Sequence, residues 1–189
     1  MLGYNVGSEG VQFTPLSWKI RLQIALDAAK AVASLHSIVA KNGKTLVCGV
    51  IKASNILIRI DFSACLSSYE TAYLTCPATI VRRNPGRVAP ELTHQYSPKV
   101  FTQKSDVYSF GVLLLELITG KRSSVTNLGQ YVNEKRRREG LGGVSDKKMT
   151  DVKENLADMI RIAGSCLSNN PKERPYMDIV VHRIQGLQE

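Results

Sequence analysis

The residues best placed to do chemistry fall in one short stretch, Cys48-Gly49-Val50-Ile51-Lys52-Ala53-Ser54-Asn55, which holds a lysine and an asparagine three positions apart. A carboxylate is a common proton acceptor in proton transfer, and this stretch lacks one. Val50 offers only an isopropyl group, and no Asp or Glu occurs between Gly43 and Ile60. Asp61 follows just outside, leading Asp61-Phe62-Ser63. The four cysteines, Cys48, Cys65, Cys76 and Cys166, are widely spaced, with no C-x-x-C pair and no nearby histidine cluster. That spacing fits reduced thiols in an intracellular protein rather than a zinc site or a disulfide framework.

The elements that must position this stretch are mostly helical. Ser17 suits an N-cap for a helix whose apolar side includes Trp18, Leu22, Leu26, Ala29 and Ala33 and which runs to Leu35-His36. A second helix is predicted from Ser105 or Asp106, burying Val107, Phe110, Gly111, Leu114 and Ile118 and stopping at Gly120. A third spans Val152 to Leu167. Pro171 breaks the pattern, and a last amphipathic helix carries Met177, Val180 and Ile184. Between the first two helices, Ile56-Leu57-Ile58 and Ala64-Cys65-Leu66 predict a small β-hairpin turning around Arg59 to Ser63. Strands running out from Asn55 and back would return beside it near Ser68.

At 189 residues and 43% hydrophobic content the chain can bury one core, as a single domain. Met1 to Gly10 is polar and Gly-rich, unlike a signal peptide, and the apolar run Val112 to Leu115 stops at Glu116, too short to span a bilayer. The chain itself is expected to be soluble. The net charge of +9 lies partly in Lys135-Arg136-Arg137-Arg138, within a polar stretch from Ser123 to Asp146, and in Lys147-Lys148 directly after it, and partly in Arg82, Arg83 and Arg87. Solvated loops and helix faces account for it first. Attraction to an anionic membrane surface through Lys135, Arg136, Arg137 and Arg138 comes next, at about 1 kcal/mol per charge. No nucleic-acid partner is expected, since aromatic residues are not interleaved with the cations and no reader motif occurs.

Taken in order, several motifs become specific: Leu35-His36, then Lys52 and Asn55, Ile56-Leu57-Ile58, Gly86, Ala89-Pro90-Glu91, Ser105-Asp106-Val107-Tyr108-Ser109-Phe110-Gly111-Val112 and Arg174-Pro175. Together they resemble the C-terminal lobe of a protein kinase, in the manner of a plant receptor-like kinase of the leucine-rich-repeat group, whose kinase-like domain is often inactive. The stretch from Ser105 through Leu115-Glu116-Leu117 to Thr119-Gly120-Lys121 is the strongest match. The resemblance implies a mainly α, kinase-like C-lobe over residues 15–187, with a short hairpin after the catalytic loop and no N-terminal β-lobe. No G-x-G-x-x-G loop with a following strand Lys precedes the first helix, and Gly3, Gly7 and Gly10 lack its spacing. Residues 1–14 would be a residual hinge or linker, 48–55 a degenerate catalytic loop and 68–91 an activation segment. Residues 105–119 would form the central helix, and 121–148 a basic variable region. It further implies that Asp106 holds the backbone of the Cys48–Val50 loop and that Glu91 pairs with Arg174.

The same resemblance implies that the chemistry is missing. The family's catalytic loop reads H-R-D-L-x-x-x-N, its Asp accepting the substrate proton and its Asn holding a metal; here Val50 stands at the Asp. The metal-binding D-F-G position falls on Ser68-Tyr69-Glu70, and Asp61 is a decoy in the hairpin turn. The family's G-T-x-G-Y-x-A-P-E becomes Arg83-Asn84-Pro85-Gly86-Arg87-Val88-Ala89-Pro90-Glu91, with Asn84 for the Thr and Arg87 for the Tyr. Lys52, Asn55 and Leu57 would remain as a vestigial nucleotide site, Leu57 as its apolar floor. No catalytic residue, no metal site and no cofactor are expected; ATP and Mg enter only if the complete protein retains nucleotide binding. The implied function is a non-catalytic module at the cytoplasmic face of the plasma membrane, as part of a receptor, engaging other kinase domains or signalling proteins. The alternative is a Ser/Thr kinase using ATP in its complete form, of which this chain is a fragment.

Overall fold

The computed structural model describes residues 3–4, 14–69, 71–94, 99–149 and 154–188. Two residues at Gly3–Tyr4 (β1) pair antiparallel with Thr14–Pro15 (β2), so the expectation of one β stretch is corrected to two small pairings. Helix α1, Trp18–His36, begins where Ser17 Oγ accepts the Ile20 N–H at 3.3 Å. Trp18, Leu22, Leu26 and Ala29 are buried as expected, while Ala33 is half-buried. Ala25, Ala28 and Val32 are buried as well, and the small side chains let α1 sit close to its neighbours.

The hairpin follows, with β3 (Ile56–Ile58) antiparallel to β4 (Ala64–Leu66) and Ile56 opposite Leu66. Two short helices come next, α2 (Thr71–Leu74) and α3 (Pro77–Arg83), which the apolar periodicity did not signal because neither is long enough to show one. Helix α4, Gln103–Thr119, is buried on nearly every side and forms the centre of the fold. Its start lies two residues before the predicted Ser105. Thr102 is the N-cap, its Oγ1 accepting the Ser105 N–H at 3.1 Å while Ser105 Oγ accepts the Thr102 N–H at 2.8 Å. Ser105 is thus the second half of a capping box, not the cap. Gly120 ends the helix in the left-handed region, as its position predicts.

The polar stretch 123–146 is not simply loop: it contains α5, Leu128–Glu139, anchored by buried Leu128 and Val132. Helix α6, Leu156–Cys166, packs on α4, and α7, Met177–Gln185, packs on α1. The expected start of α6 at Val152 lies outside the described residues. No described helix is long and apolar enough to cross a membrane.

Two ion pairs tie these helices together. Arg21, buried on α1, donates to Leu16 O at 3.0 Å, Leu117 O at 2.8 Å and Asp146 Oδ2 at 2.8 Å, joining the start of α1 to the end of α4. Arg174 donates to Glu91 Oε1 at 2.7 Å and Oε2 at 2.8 Å, with further bonds to Ser168 O and Lys104 O. Its side chain is fully buried while that of Glu91 keeps 31% of its exposure, so the two partners are not equivalent. Removing Glu91 strands a buried guanidinium, a loss nearer the lower end of the roughly 3–5 kcal/mol seen for buried pairs because water already reaches the carboxylate.

Burial is the largest influence on the Glu91 carboxyl and pushes it up, but the Arg174 hydrogen bonds and charge, with a backbone hydrogen bond, carry it below its ordinary 4.5. The unfolded chain therefore binds this proton first as pH falls. Stability from the pair is complete above the ordinary value and is lost as pH drops through the lower folded one. Urea midpoints measured from neutral to acid pH should fall in that window. Glu91→Gln should be less stable at neutral pH and lose less on acidification; parallel profiles for both proteins would show that the pair contributes nothing.

Candidate functional site

Asp106 lies in the first turn of α4 and is wholly buried. Its Oδ2 accepts the Cys48 N–H at 2.7 Å and its Oδ1 the Gly49 N–H at 2.9 Å, and His36 Nε2 lies 2.9 Å from Oδ2. Ser109, one turn on, accepts the Ile51 N–H at 3.0 Å. The start of α4 thus shapes the loop through its backbone. Gly49 sits at φ +87°, and a Cβ there would meet Ala72 Cβ at 2.8 Å, so both the turn and the approach of α2 require glycine. Tyr73 adds a second contact from α2, its hydroxyl accepting the Val47 N–H at 2.7 Å. His36 was legible in sequence only as part of the Leu35-His36 motif and Tyr73 not at all, because each finds its partner only through the fold.

Lys52, Asn55 and Ser68 share the wall of a cavity of about 170 Å³ with Val50, Ile80 and Asn84. Ligand pockets commonly occupy roughly 300–1,000 Å³, so these walls hold little more than small polar species. The hairpin returns as expected, but one residue earlier: Ser67, not Ser68, bonds back to Asn55 O, through its N–H at 2.8 Å. Ser68 follows at φ +60°, a left-handed conformation that is uncommon for a side-chain-bearing residue. Glu70 lies outside the described residues. Leu57 is not in the cavity wall and faces outward, more than half exposed.

Asp61 accepts from Ser63 N at 3.0 Å and Ser63 Oγ at 2.7 Å in the hairpin turn, and these bonds hold its carboxyl below the usual range. It lines a different concavity, beside Trp18 and Phe62. Among the described residues no acidic side chain lines the 170 Å³ cavity.

Val50 is buried among Ile80, Val88, Ala89 and Leu92. This apolar cluster joins the loop to α3 and the 88–92 segment. Lys52 Nζ donates to Asn84 Oδ1 at 3.3 Å, and Asn84 Nδ2 donates to Ile80 O at 2.7 Å. Arg87 was grouped with Arg82 and Arg83 as a free cation; instead its guanidinium meets both oxygens of buried Glu116, at 2.7 and 2.6 Å. In the other basic cluster, Lys135 pairs with Glu139 along α5, and Arg136, Arg137 and Arg138 stay exposed in its last turn, where cations offset the helix dipole.

His36, Cys48 and Asp106 bring three metal-ligand types within 4.8 Å of one another. Burial, with the charge and hydrogen bond of Asp106, pushes the Cys48 thiol far up, so it stays protonated, and both Asp106 oxygens already accept bonds. This donor set is a hydrogen-bond network rather than a prepared metal site. Burial also pushes the Cys166 thiol up, to about 12. In the native protein a thiol reagent should modify Cys76 and Cys65 rapidly and spare Cys48 and Cys166, with all four reacting in denaturant. Fast native labelling of Cys48, read by peptide mass, would contradict the buried network.

The family model for protein tyrosine and serine/threonine kinases matches residues 12–184. Two Arabidopsis thaliana proteins named as probable inactive receptor kinases are 36% and 39% identical over 91% and 96% of this chain. An Arabidopsis serine/threonine-protein kinase, BIK1, is 38% identical over 95% of the chain and 48% of its own length. The solved pseudokinase domain of BIR2, an immune regulator of the RLK/Pelle family, superposes with a TM-score of 0.75 at 28% identity, over 93% of this chain and 54% of that one. The chain spans 28% of the length of each of the two inactive receptor kinases. With a buried aspartate holding a catalytic-type loop from the start of the central helix, and relatives of this kind across nearly its whole length, the chain belongs to the protein tyrosine and serine/threonine kinase family, alongside plant receptor-like kinases.

Proposed function

We propose that this chain is a catalytically impaired, pseudokinase-type module that acts in receptor-like kinase signalling through protein–protein contacts. The observation that carries the reading is Val50, buried in an apolar cluster where phosphoryl transfer to a hydroxyl would need a proton acceptor. Losing a positioned base alone removes roughly 10²–10⁴ in rate. By the resemblance Ser68 stands where a metal carboxylate is needed, and among the described residues no acid lines the cavity that it shares with Asn55. Magnesium would therefore find Asn55 without a charged co-ligand. Lys52, held by Asn84, would be the remaining cation for a phosphate.

Relatives named as inactive receptor kinases support the reading, and their names support a place at the cytoplasmic face of the plasma membrane. The partners would be other kinase domains or signalling proteins. Exposed Arg136, Arg137 and Arg138 suit an anionic lipid surface beside them.

The chain, and any longer natural protein that contains it, should transfer no phosphate above background when given Mg-ATP and a general protein substrate. Restoring the base alone, as Val50→Asp, should not rescue transfer, because the metal carboxylate is still missing and the new acid would be forced into the Ile80–Leu92 cluster. Robust turnover that Asn55→Ala abolishes would overturn the proposal and favour an ATP-using Ser/Thr kinase.

A further inference from the structure

A cavity of about 560 Å³ opens at the start of α1, between the hairpin turn, the residues before α6 and those after α7. That volume is within the roughly 300–1,000 Å³ common for small-molecule sites. Hydrogen bonds join its walls. Trp18 Nε1 donates to Glu154 O at 2.7 Å, Asn155 Nδ2 to Leu187 O at 3.0 Å and Gln188 Nε2 to Gln23 Oε1 at 3.4 Å. Among the described residues three non-glycines sit at positive φ, and two of them, Phe62 at +63° and Asn155 at +60°, line this cavity. Such conformations persist only where the surrounding structure holds them, and they gather at ligand sites. The cavity is built before anything enters it.

The lining describes an occupant. Leu22, Phe62 and Leu187 supply apolar wall, which suits a ligand with an apolar body. At the mouth, a chain of net charge +9 places two exposed acids, Asp61 and Glu154, against one base, Lys19. Neither acid makes an ion pair among the described residues. Hydrogen bonds from Ser63 hold the Asp61 carboxyl below its usual range, so it stays charged. The amide nitrogens of Gln23, Asn155 and Gln188 already donate to protein oxygens, which leaves the lining richer in acceptors than in donors. Apolar wall beneath unneutralised carboxylates favours a cation that donates hydrogen bonds and disfavours an anion of the same size.

We infer that this cavity binds a small organic amine, with its apolar body against Leu22, Phe62 and Leu187 and its ammonium group at Asp61 and Glu154. The inference goes beyond the interaction-module reading and holds whether or not the chain transfers phosphate.

The test is a fluorescence titration of the 189-residue chain with dansylcadaverine, an aryl group carrying a primary amine on a flexible tail. Saturable binding is expected, with emission moving to shorter wavelength as the aryl group leaves water, and salt should weaken it. Asp61→Asn with Glu154→Gln should lower the affinity about tenfold, and Lys19→Glu should raise it. The amide at position 61 can still accept from Ser63, and all three positions are exposed, so melting should be unchanged in each variant. Dansylglycine, an anion with the same aryl group, should bind about tenfold more weakly. No saturable binding, equal binding of dansylglycine, or a double variant that binds as well as the natural chain each overturns the amine site. Phosphotransfer by a chain that also binds the amine would overturn the non-catalytic reading alone.

Discussion

The buried carboxylate of Asp106 is the contact on which the rest of the site depends. A charge at zero exposure survives only if donors surround it, and here they come from the Cys48 and Gly49 peptides, with the His36 ring beside them. The end of α1, the start of α4 and the intervening loop meet on one side chain. Everything downstream inherits its position from that meeting: the turn at Ala53–Asn55, the hairpin that begins at Ile56 and the return of Ser67 to Asn55.

Because Asp106 binds peptide N–H groups, its hold on the loop does not run through the side chain at 50. That separates the scaffold from the chemistry. The isopropyl group of Val50 packs with Ile80, Val88, Ala89 and Leu92. An apolar cluster of this kind stabilises the closed loop and opposes the return of a charge, since an ionised carboxylate buried without donors is costly. The site's polar remnant turned inward in the same way. Lys52 and Asn84 now satisfy each other, and Arg87 satisfies Glu116.

These contacts join the 77–92 segment to the body of the domain. Arg87, Asn84 and Val88 each bind a different part of it, through α4, through the loop and through the apolar cluster. A segment held at three points suits presentation of a fixed surface better than repeated opening around a substrate.

What the sequence by itself determined was local or repeated at short range. The Ser17 cap, the Gly120 stop, the hairpin over Ile56 to Leu66 and the apolar faces of α1, α4 and α7 all follow from neighbours within a turn or two. Motif order was legible for the same reason: each motif is a short run whose backbone conformation its own residues dictate. The tertiary structure decided the rest, because the partners lie far apart along the chain. Arg21 meets Leu117 across 96 residues, His36 meets Asp106 across 70, and Arg87 meets Glu116 across 29. Periodicity cannot report such pairs, and charge counting mistook Arg87 for a free cation. Thr102 escaped notice because Ser105 looks like a cap on its own, and only the reciprocal bond shows which residue starts the helix. Composition could say that a proton acceptor was absent at Val50; only packing could say that an apolar cluster had taken its place.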